Sequence, residues 1–336
     1  MAEPHHEAMN AGAIPSLSPQ LQAIMSRQRG LFTAEQAYST GYSRTEIQHL
    51  RSRRMLRSVR RGVYGLPDAL DGLDPLSRHA VETVAALLRL REPTTLSHET
   101  AAIWTGVPLL VPDLRLVHMT RPELRVSRRE AAIHHHPGAL PPGHVKALDA
   151  VAVTTTARTA VDVARRTDFS RGLAVADSCL RLGTSRDELQ AVMEFCASWP
   201  GARAASRAVS HADARAANPG ESWSRAVLLE AGLAPTHLQY EVHDDAGLIG
   251  FSDVCWEDRL TLGEFDGRLK YALPAGAEAE VAAEVVWREK QREDRLRAQG
   301  FEVVRWTWGD LHRPGPMLAR ILAAFARSAS RRRTAN

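Results

Sequence analysis

The chain has 336 residues, of which 44% are hydrophobic and 24% are charged. That length predicts two or three domains, and this composition excludes a largely disordered or fibrous protein. The 43 basic side chains exceed the 39 acidic ones by only four, so the distribution of charge along the chain is more informative than its sum.

The cysteines and the apolar segments limit the class of protein further. Cys179, Cys196 and Cys255 lie far apart and form no Cys-x-x-Cys pair, which excludes a disulfide scaffold and a cysteine zinc module. No apolar run approaches the length of a membrane span, and the N-terminus has no basic-then-apolar signal peptide. The sequence therefore predicts a cytoplasmic protein without a membrane partner.

Five regions follow one another, and together they predict an α/β multidomain protein. Residues 1–17 are rich in Ala, Gly, Pro and His and predict a disordered leader. Residues 18–67 are helical and basic, and residues 68–215 mix helices with short strands to form a central α/β domain. Residues 216–328 carry strand-like segments between helices, and residues 329–336 form a basic tail.

The region 18–67 predicts three short helices followed by a β-hairpin. Ser18, Thr33 and Ser43 are placed to cap the three helices in turn. An alternating run then turns at Gly62, which is typical of a hairpin. Three helices followed by a hairpin is the layout of a winged helix-turn-helix domain.

This same region is strongly basic. From residue 27 to residue 67, nine arginines oppose two glutamates, which gives a local net charge of +7. A basic stripe on a helix and its wing is typical of phosphate binding, so we predict DNA as a partner and residues 44–55 as the recognition helix. The alternative is a solvated basic face that contacts protein. The predicted DNA-binding residues are Arg44, Gln48, Arg51, Arg53, Arg54, Arg57, Arg60 and Arg61.

Three motifs extend from this region into the middle of the chain. They are Leu31-Phe32-Thr33-Ala34-Glu35-Gln36-Ala37, Ser97-His98-Glu99-Thr100-Ala101-Ala102 and Thr154-Thr155-Thr156-Ala157-Arg158-Thr159-Ala160-Val161-Asp162. They resemble motifs of the AbiEi-type antitoxins of type IV toxin–antitoxin systems, over about residues 18–170. The resemblance implies a first domain that binds DNA and represses its own operon. It also implies a second domain that opposes a nucleotidyltransferase-like toxin.

Arg158 stands at the start of a threonine-rich predicted helix. One interpretation is an anion-binding residue, because helix N-termini favour negative charge. The favoured alternative is an ion pair with a carboxylate such as Asp162 or Asp149, which would tie the helix to the neighbouring strands.

The run His134-His135-His136 raises the question of a metal site. On a strand, His134 and His136 share one face, and His118 and His144 are candidates for further ligands. Because nothing in the sequence fixes those further ligands, a metal is the less favoured interpretation here.

The C-terminal region predicts the order α-β-β-β-α-β. Since a helix connects the last strand to the others, we expect that strand to pair in parallel with an earlier one. This order is the core of the restriction-endonuclease-like fold. The predicted helices are 221–231 and 278–298, and the predicted strands are 238–243, 249–256, 260–265 and 301–306.

Acidic residues fall where that fold places its chemistry. Asp253 lies on the second strand, while Glu264 and Asp266 end the third, two residues apart and therefore on one face. Glu221 on the first helix can add a carboxylate. Such oxygen ligands suit Mg²⁺ or Mn²⁺, which would activate water and stabilise a phosphoryl transition state. The alternative is that these carboxylates cap turns or pair with Arg259, Arg268 and Arg292.

Three blocks of this region also resemble a known nuclease group. Residues 250–256, 263–271 and 289–308 are similar to very-short-patch-repair-type relatives within the PD-(D/E)XK endonucleases. The resemblance implies catalytic roles for Asp253 and Glu264.

One position departs from the pattern of that group. Asp266 stands where the usual Glu-x-Lys motif has its lysine, so Lys270 or Lys290 would have to orient the water or neutralise the phosphate. The predicted catalytic set is therefore Asp253, Glu264, Asp266, Lys270 and Lys290, and the predicted metal ligands are Asp253, Glu264, Asp266 and Glu221.

Together these features predict a DNA-binding regulator or antitoxin with a metal-dependent, nuclease-like C-terminal domain. Two alternatives remain open. One is an active Mg²⁺-dependent DNA endonuclease, and the other is an adaptor without catalytic activity that holds nucleic acid or a toxin.

Overall fold

The computed structural model describes residues 17–90, 94–149, 151–267 and 279–335. The predicted leader before Leu17, and Lys270, lie outside these ranges. The chain is a mixed α/β, multidomain protein, as the sequence predicts. It forms two compact units. The first unit runs to Leu96 and includes Asp113–Ala139, and the second comprises Ser97–Pro112 and the chain from Leu140 onward.

The first unit begins with short helices and strands and ends with strands. Its elements are α1 (Pro19–Arg27), β1 (Leu31–Thr33), α2 (Ala34–Ser39), α3 (Arg44–Ser52), β2 (Arg57–Arg60), β3 (Val63–Gly65), α4 (Pro67–Leu70), α5 (Pro75–Leu87), β4 (Thr95–Leu96), β5 (Val117–Arg121), β6 (Arg128–Glu130) and β7 (Ile133–Pro137).

Side-chain caps define the three N-terminal helices. The Ser18 hydroxyl accepts a hydrogen bond at the start of α1, and Thr33 and Ser43 form capping boxes at the starts of α2 and α3. Each of these caps satisfies backbone N–H groups that the helix itself leaves unpaired. The structure thus confirms the three caps that the sequence predicts.

The predicted hairpin is present as β2 and β3, but the sheet has a third strand. β1 pairs antiparallel with β3, which gives the order β1-β3-β2. Three residues are too few to show the alternation that identifies a strand in sequence. Phe32 of β1 packs with Leu21, Ile47 and Tyr64 in the core beneath the helices.

Leu17 also belongs to this core, so this residue, which the sequence assigns to a disordered leader, is packed. A separate set of strands lies later in the first unit. β7 pairs antiparallel with β6 and parallel with β5, and β5 pairs antiparallel with β4.

The second unit is a helical cluster followed by an α/β module. Its elements are α6 (His98–Trp104), β8 (Val145–Leu148), β9 (Val151–Thr154), α7 (Thr156–Ala164), α8 (Phe169–Arg181), α9 (Arg186–Phe195), α10 (Ala202–Ser210), α11 (Pro219–Glu230), β10 (His237–Asp244), β11 (Gly247–Trp256), β12 (Thr261–Asp266), α12 (Ala279–Ala298), β13 (Glu302–Thr307), α13 (Trp308–His312) and α14 (Pro314–Ala335).

The last part of the second unit has the predicted α-β-β-β-α-β order. The sheet order is β10-β11-β12-β13, in which the first three strands are antiparallel and β13 is parallel to β12. The parallel pairing follows from the crossover through α12, since a chain that returns by a helix enters the sheet in the same direction. Trp306 of β13 is buried and donates a hydrogen bond to Ser224 of α11, which fixes the helix on the sheet.

The predicted basic tail is the last part of α14. Arg331 forms an ion pair with Glu302, and Arg332 donates to the backbone carbonyl of Asp258. These contacts explain why the helix continues past residue 328. None of the helices in the described part of the chain combines the length and apolar character needed to cross a membrane.

Candidate functional site

The basic surface of the first unit is formed by α3, the turn after it and the β2–β3 hairpin. Ile47 is the buried residue of α3 and packs into the core, which leaves the arginines of this helix on its outer face. Arg51 lies over the ring of Tyr64, with its guanidinium carbon 5.4 Å from the ring centre. The exposed members of the predicted DNA-binding set are Arg44, Gln48, Arg51, Arg53, Arg54, Arg57 and Arg61.

Arg60 differs from the rest of that set. Its side chain is only 11% exposed, forms an ion pair with Glu82 at 3.3 Å and donates to the backbone carbonyl of Ala131. Burial lowers the pKa of Arg60, while Glu82 raises it. Arg60 therefore stabilises the first unit from within, and it is not available to a ligand in this arrangement. Arg57 forms an ion pair with Asp71 but stays about half exposed.

A cleft of about 340 Å³ opens beside the middle of β11 and the end of β12 in the second unit. Val254 of β11 pairs with Gly263 of β12, so the same register continued by one residue sets Asp253 opposite Glu264. The structure brings Asp253, Glu264 and Asp266 to this one cleft, as the sequence predicts. Its lining residues are Gly250, Phe251, Asp253, Glu264, Phe265, Asp266, Glu289, Arg292 and Arg305.

Two arginines form ion pairs with the carboxylate of Glu264. Arg292 of α12 donates to one oxygen at 2.6 Å, and Arg305 of β13 donates to the other at 3.0 Å. Both arginines also pair with Glu289, and Arg305 contacts Glu293 at 3.2 Å. Burial opposes the charge on Glu289, but the two arginines outweigh it and hold its pKa below the ordinary value.

The other predicted metal ligands have mixed surroundings. An oxygen of Asp253 accepts a hydrogen bond from the backbone N–H of Phe265 at 2.7 Å. One oxygen of Asp266 is buried and, within the described residues, has no hydrogen-bond partner. Glu221 accepts from Ala217 and Asn218 at the start of α11 and from Gln239 at 3.0 Å, so its carboxylate secures the helix.

This arrangement does not fit a divalent cation. Among the residues that the structure describes, Asp253, Glu264 and Asp266 do not bring one oxygen each within 4.8 Å of one another. Glu264 already has both oxygens paired with guanidinium groups, and a cation there would face two fixed positive charges. The predicted alternative, in which these carboxylates pair with arginines, describes Glu264 correctly for Arg292.

The predicted catalytic lysines do not occupy the cleft among the described residues. Lys290 is exposed on α12 and is not part of the cleft wall, whereas Glu289 and Arg292 of the same helix are. Lys270 lies outside the described residues. The positive charge that sequence reasoning missed is Arg305, which pairs directly with Glu264 in the parallel register of β12 and β13.

Arg158 forms an ion pair with Asp162, as the favoured interpretation predicts, but both residues lie on α7, so this pair does not tie the helix to the strands. Arg158 is 1% exposed and donates to Asp162 at 2.7 Å, while Arg165 contacts the other oxygen of Asp162 at 3.0 Å. Both guanidinium groups lie within 4.8 Å of the centre of the Trp199 ring. The group is closed to solvent, so it acts in packing. His144 lies in this second unit, 3.1 Å from Arg158.

Comparisons with known proteins give relatives without an assigned role. No family model matches the chain. Uncharacterized proteins MT2308 and Rv2248, from two strains of Mycobacterium tuberculosis, are each 29% identical over 230 residues, which is 67% of this chain and 80% of theirs. The crystal structure of the RV2827C protein from Mycobacterium tuberculosis is similar with a TM-score of 0.36 and 15% identity, over 69% of this chain and 90% of that chain, a similarity too low to carry an argument.

Proposed function

We propose that this protein is a DNA-binding regulator of the antitoxin type, with a winged helix-turn-helix in its first unit. The observation that carries the proposal is the set of exposed basic residues on α3 and the β2–β3 hairpin. In a winged helix, the third helix enters the major groove and the hairpin contacts the backbone, so Gln48 on α3 would face base edges while the exposed arginines of α3, the following turn and the hairpin bind phosphates.

The number of exposed arginines on this surface supports DNA binding over contact with another protein. Six exposed arginines lie on α3, the following turn and the hairpin. Each contact that neutralises a phosphate releases counterions, so six such contacts would give a slope of about −5 in log K against log salt. A protein partner with scattered charges would not produce so steep a dependence.

Fluorescence anisotropy with a labelled duplex from the region upstream of the gene tests the proposal. We expect the triple variant Arg51→Ala, Arg53→Ala, Arg54→Ala to bind at least tenfold more weakly and to show a salt slope smaller by about 2 to 3, because each lost phosphate contact removes about 0.9. The matched control changes Arg181, Arg203 and Arg207 of the second unit to Ala, with the same change in net charge. Equal binding by the two triple variants would contradict the proposal.

The resemblance of residues 18–170 to AbiEi-type antitoxins supports a second role, in which the protein opposes a nucleotidyltransferase-like toxin in the cytoplasm. Co-expression with a toxin of that class encoded beside it tests this role. We expect growth to be restored by the wild-type chain and by the triple arginine variant alike, since the resemblance assigns toxin neutralisation to the domain that follows the DNA-binding one. Failure of the wild-type chain to restore growth would contradict the antitoxin role.

The C-terminal α/β module supports a restriction-endonuclease-like fold by its strand order and its one parallel pair. The arginine pairs on Glu264 favour a domain that binds its partner without cutting it. An active Mg²⁺-dependent or Mn²⁺-dependent endonuclease is the second candidate, favoured by the shared cleft of Asp253, Glu264 and Asp266. Incubation of the protein with supercoiled plasmid and Mg²⁺ or Mn²⁺ distinguishes the non-cutting domain from the active endonuclease. We expect no nicking. Nicking that disappears in Asp253→Ala would establish the second candidate.

A further inference from the structure

A second group of exposed arginines lies in the first unit, apart from α3 and the β2–β3 hairpin. It belongs to β6 and the loop before it, residues 125–130, which we call the β6 edge. Arg125, Arg128 and Arg129 are all exposed there. Arg128 lies 3.8 Å from Glu130, whereas Arg125 and Arg129 have no ion-pair partner among the residues that the structure describes. The β6 edge therefore offers positive charge that the protein itself leaves unpaired.

A buried strand supports the β6 edge. β6 pairs antiparallel with β7 and is the outermost strand of its sheet. On β7, the residues His134, His135 and His136 are each at most 4% exposed. Because successive side chains of a strand point to opposite faces, β7 is packed on both of its faces. It holds the backbone of β6 in place, while the charged side chains of β6 remain in solvent.

The turn between β6 and β7 is in contact with the β2–β3 hairpin. Arg60 of β2 donates to the backbone carbonyl of Ala131, the residue that follows the β6 edge. Ala131 and Ala132 have φ values of +46° and +57°, a left-handed conformation that alanine rarely adopts. The bond from Arg60 helps to hold this turn, so one end of the β6 edge is fixed beside the hairpin.

The basic surface of the hairpin also includes an arginine that follows α5. Nη1 of Arg89 lies 3.6 Å from the position that a Cβ on Gly62 would take, and Arg61 is exposed in the same turn. At a rise of about 3.4 Å per residue, Arg128 lies about 10 Å from Ala131 along β6. One helical turn of DNA measures about 34 Å, so a duplex bound at the hairpin is long enough to reach the β6 edge.

An exposed apolar side chain lies among the arginines of the β6 edge. Val126 is 73% exposed, the highest value among the large hydrophobic residues that the structure describes. Proteins that bind the minor groove often combine arginines with an apolar side chain that inserts at a base step. A duplex offers phosphates to the arginines and apolar surface to Val126, so the β6 edge fits DNA.

We propose that the β6 edge is a second DNA-contacting surface, in which Arg125 and Arg129 bind phosphates that flank the segment held by α3 and the β2–β3 hairpin. This inference rests on the DNA-binding function proposed above. Its contacts add affinity without recognition of bases, because phosphate contacts carry no sequence information. The competing role of charged residues on an outer strand is to prevent pairing with another chain, and that role predicts no effect on DNA binding.

Fluorescence anisotropy with the upstream duplex at several salt concentrations tests the surface. We expect the double variant Arg125→Ala, Arg129→Ala to bind about tenfold more weakly and to show a salt slope smaller by about 2, because two phosphate contacts are lost. The matched control is Arg181→Ala, Arg203→Ala in the second unit, which changes the net charge equally and should bind as the wild type does.

The outcomes separate this inference from the proposed function. Wild-type affinity and salt slope in the Arg125→Ala, Arg129→Ala variant, with weak binding by the triple variant of Arg51, Arg53 and Arg54, would overturn the inference and leave the proposed function standing. A wild-type chain that binds no DNA would contradict both.

Cross-linking locates the contact without removing a charge. Cys179, Cys196 and Cys255 are buried, so a thiol-reactive aryl azide would label an introduced surface cysteine. We expect Val126→Cys to cross-link to the duplex on irradiation. The control Leu182→Cys, at a site in the second unit where the native side chain is 50% exposed, should not do so. Cross-linking by Val126→Cys no stronger than that of the control would count against the proposal.

Discussion

A buried ion pair joins two helices of the second unit. One Nη of Arg225 on α11 lies 2.6 and 2.8 Å from the two oxygens of Asp177 on α8, and both side chains are nearly inaccessible to solvent. Burial raises the pKa of Asp177, and Arg225 opposes that rise. Either charge alone at this depth would be poorly solvated. The main effect of the pair on stability is therefore the large loss that follows when one partner is removed.

Removal of one partner should therefore destabilise the protein strongly. We expect Asp177→Ala to lower the free energy of unfolding by about 3–5 kcal/mol in urea denaturation, because it leaves Arg225 buried without its counter-ion. The control Glu230→Ala removes the exposed pair with Arg207 and should cost below about 1 kcal/mol. Similar losses in the two variants would show that the buried pair does not have this role.

The burial of His79 makes the free energy of unfolding depend on pH. The imidazole is 2% exposed, and burial lowers its pKa, although its contact with the Leu114 carbonyl and the charge of Asp113 oppose the shift. With a folded pKa below the unfolded value of about 6.5, the unfolded chain binds the proton more readily as the pH falls. Stability from His79 is thus present above pH 6.5 and is lost below it.

We expect the wild-type free energy of unfolding to fall between pH 7.5 and pH 5.5 in urea titrations, by at most about 1.4 kcal/mol per pH unit from this one group. The variant His79→Gln cannot take up that proton, so its stability should fall less over the same range. An identical slope in the two proteins would assign the pH dependence to other groups.

At the scale of elements, α11 lies so close to the sheet that its second residue must be glycine. A Cβ on Gly220 would come within 2.2 Å of the ring of Phe265, far inside contact distance. Helix propensity alone predicts that Gly→Ala stabilises a helix by up to about 1 kcal/mol. The two effects have opposite signs, so the measured sign identifies the one that dominates.

We expect Gly220→Ala to destabilise the protein by about 1–3 kcal/mol, because an overpacked interface forces backbone or ring displacement. Gly309→Ala in α13 is the control, since its nearest neighbour would lie at an ordinary 3.6 Å. Thermal or urea unfolding of both variants measures the difference. A stabilised Gly220→Ala variant would show that α11 packs less closely than described.

The sequence predicts those elements whose signals are local. The caps at Ser18, Thr33 and Ser43 depend on residues three apart, and the C-terminal order depends on clear alternation and one long helix. β1 has three residues and no readable period, so only its pairing with β3 reveals it. The ion pair of Glu264 with Arg305 depends on strand register across 41 residues, which no local pattern encodes.

At the scale of the whole molecule, charge is organised differently in the two units. The first unit has exposed arginines on α3 and the hairpin, where Arg57 pairs with Asp71, whereas the cleft of the second unit pairs both of its arginines with glutamates. Unpaired positive charge attracts phosphates at long range, and paired charge does not. This contrast supports DNA binding by the first unit and predicts a lesser contribution from the cleft.

Hydrogen–deuterium exchange of the full chain, with and without a duplex from its own upstream region, measures where DNA binds. We expect slower exchange on DNA addition in α3 (Arg44–Ser52) and in the β2–β3 hairpin, with α12 and β13 unchanged. Protection confined to the cleft elements, with α3 exchanging as in the free protein, would contradict DNA binding through the basic helix.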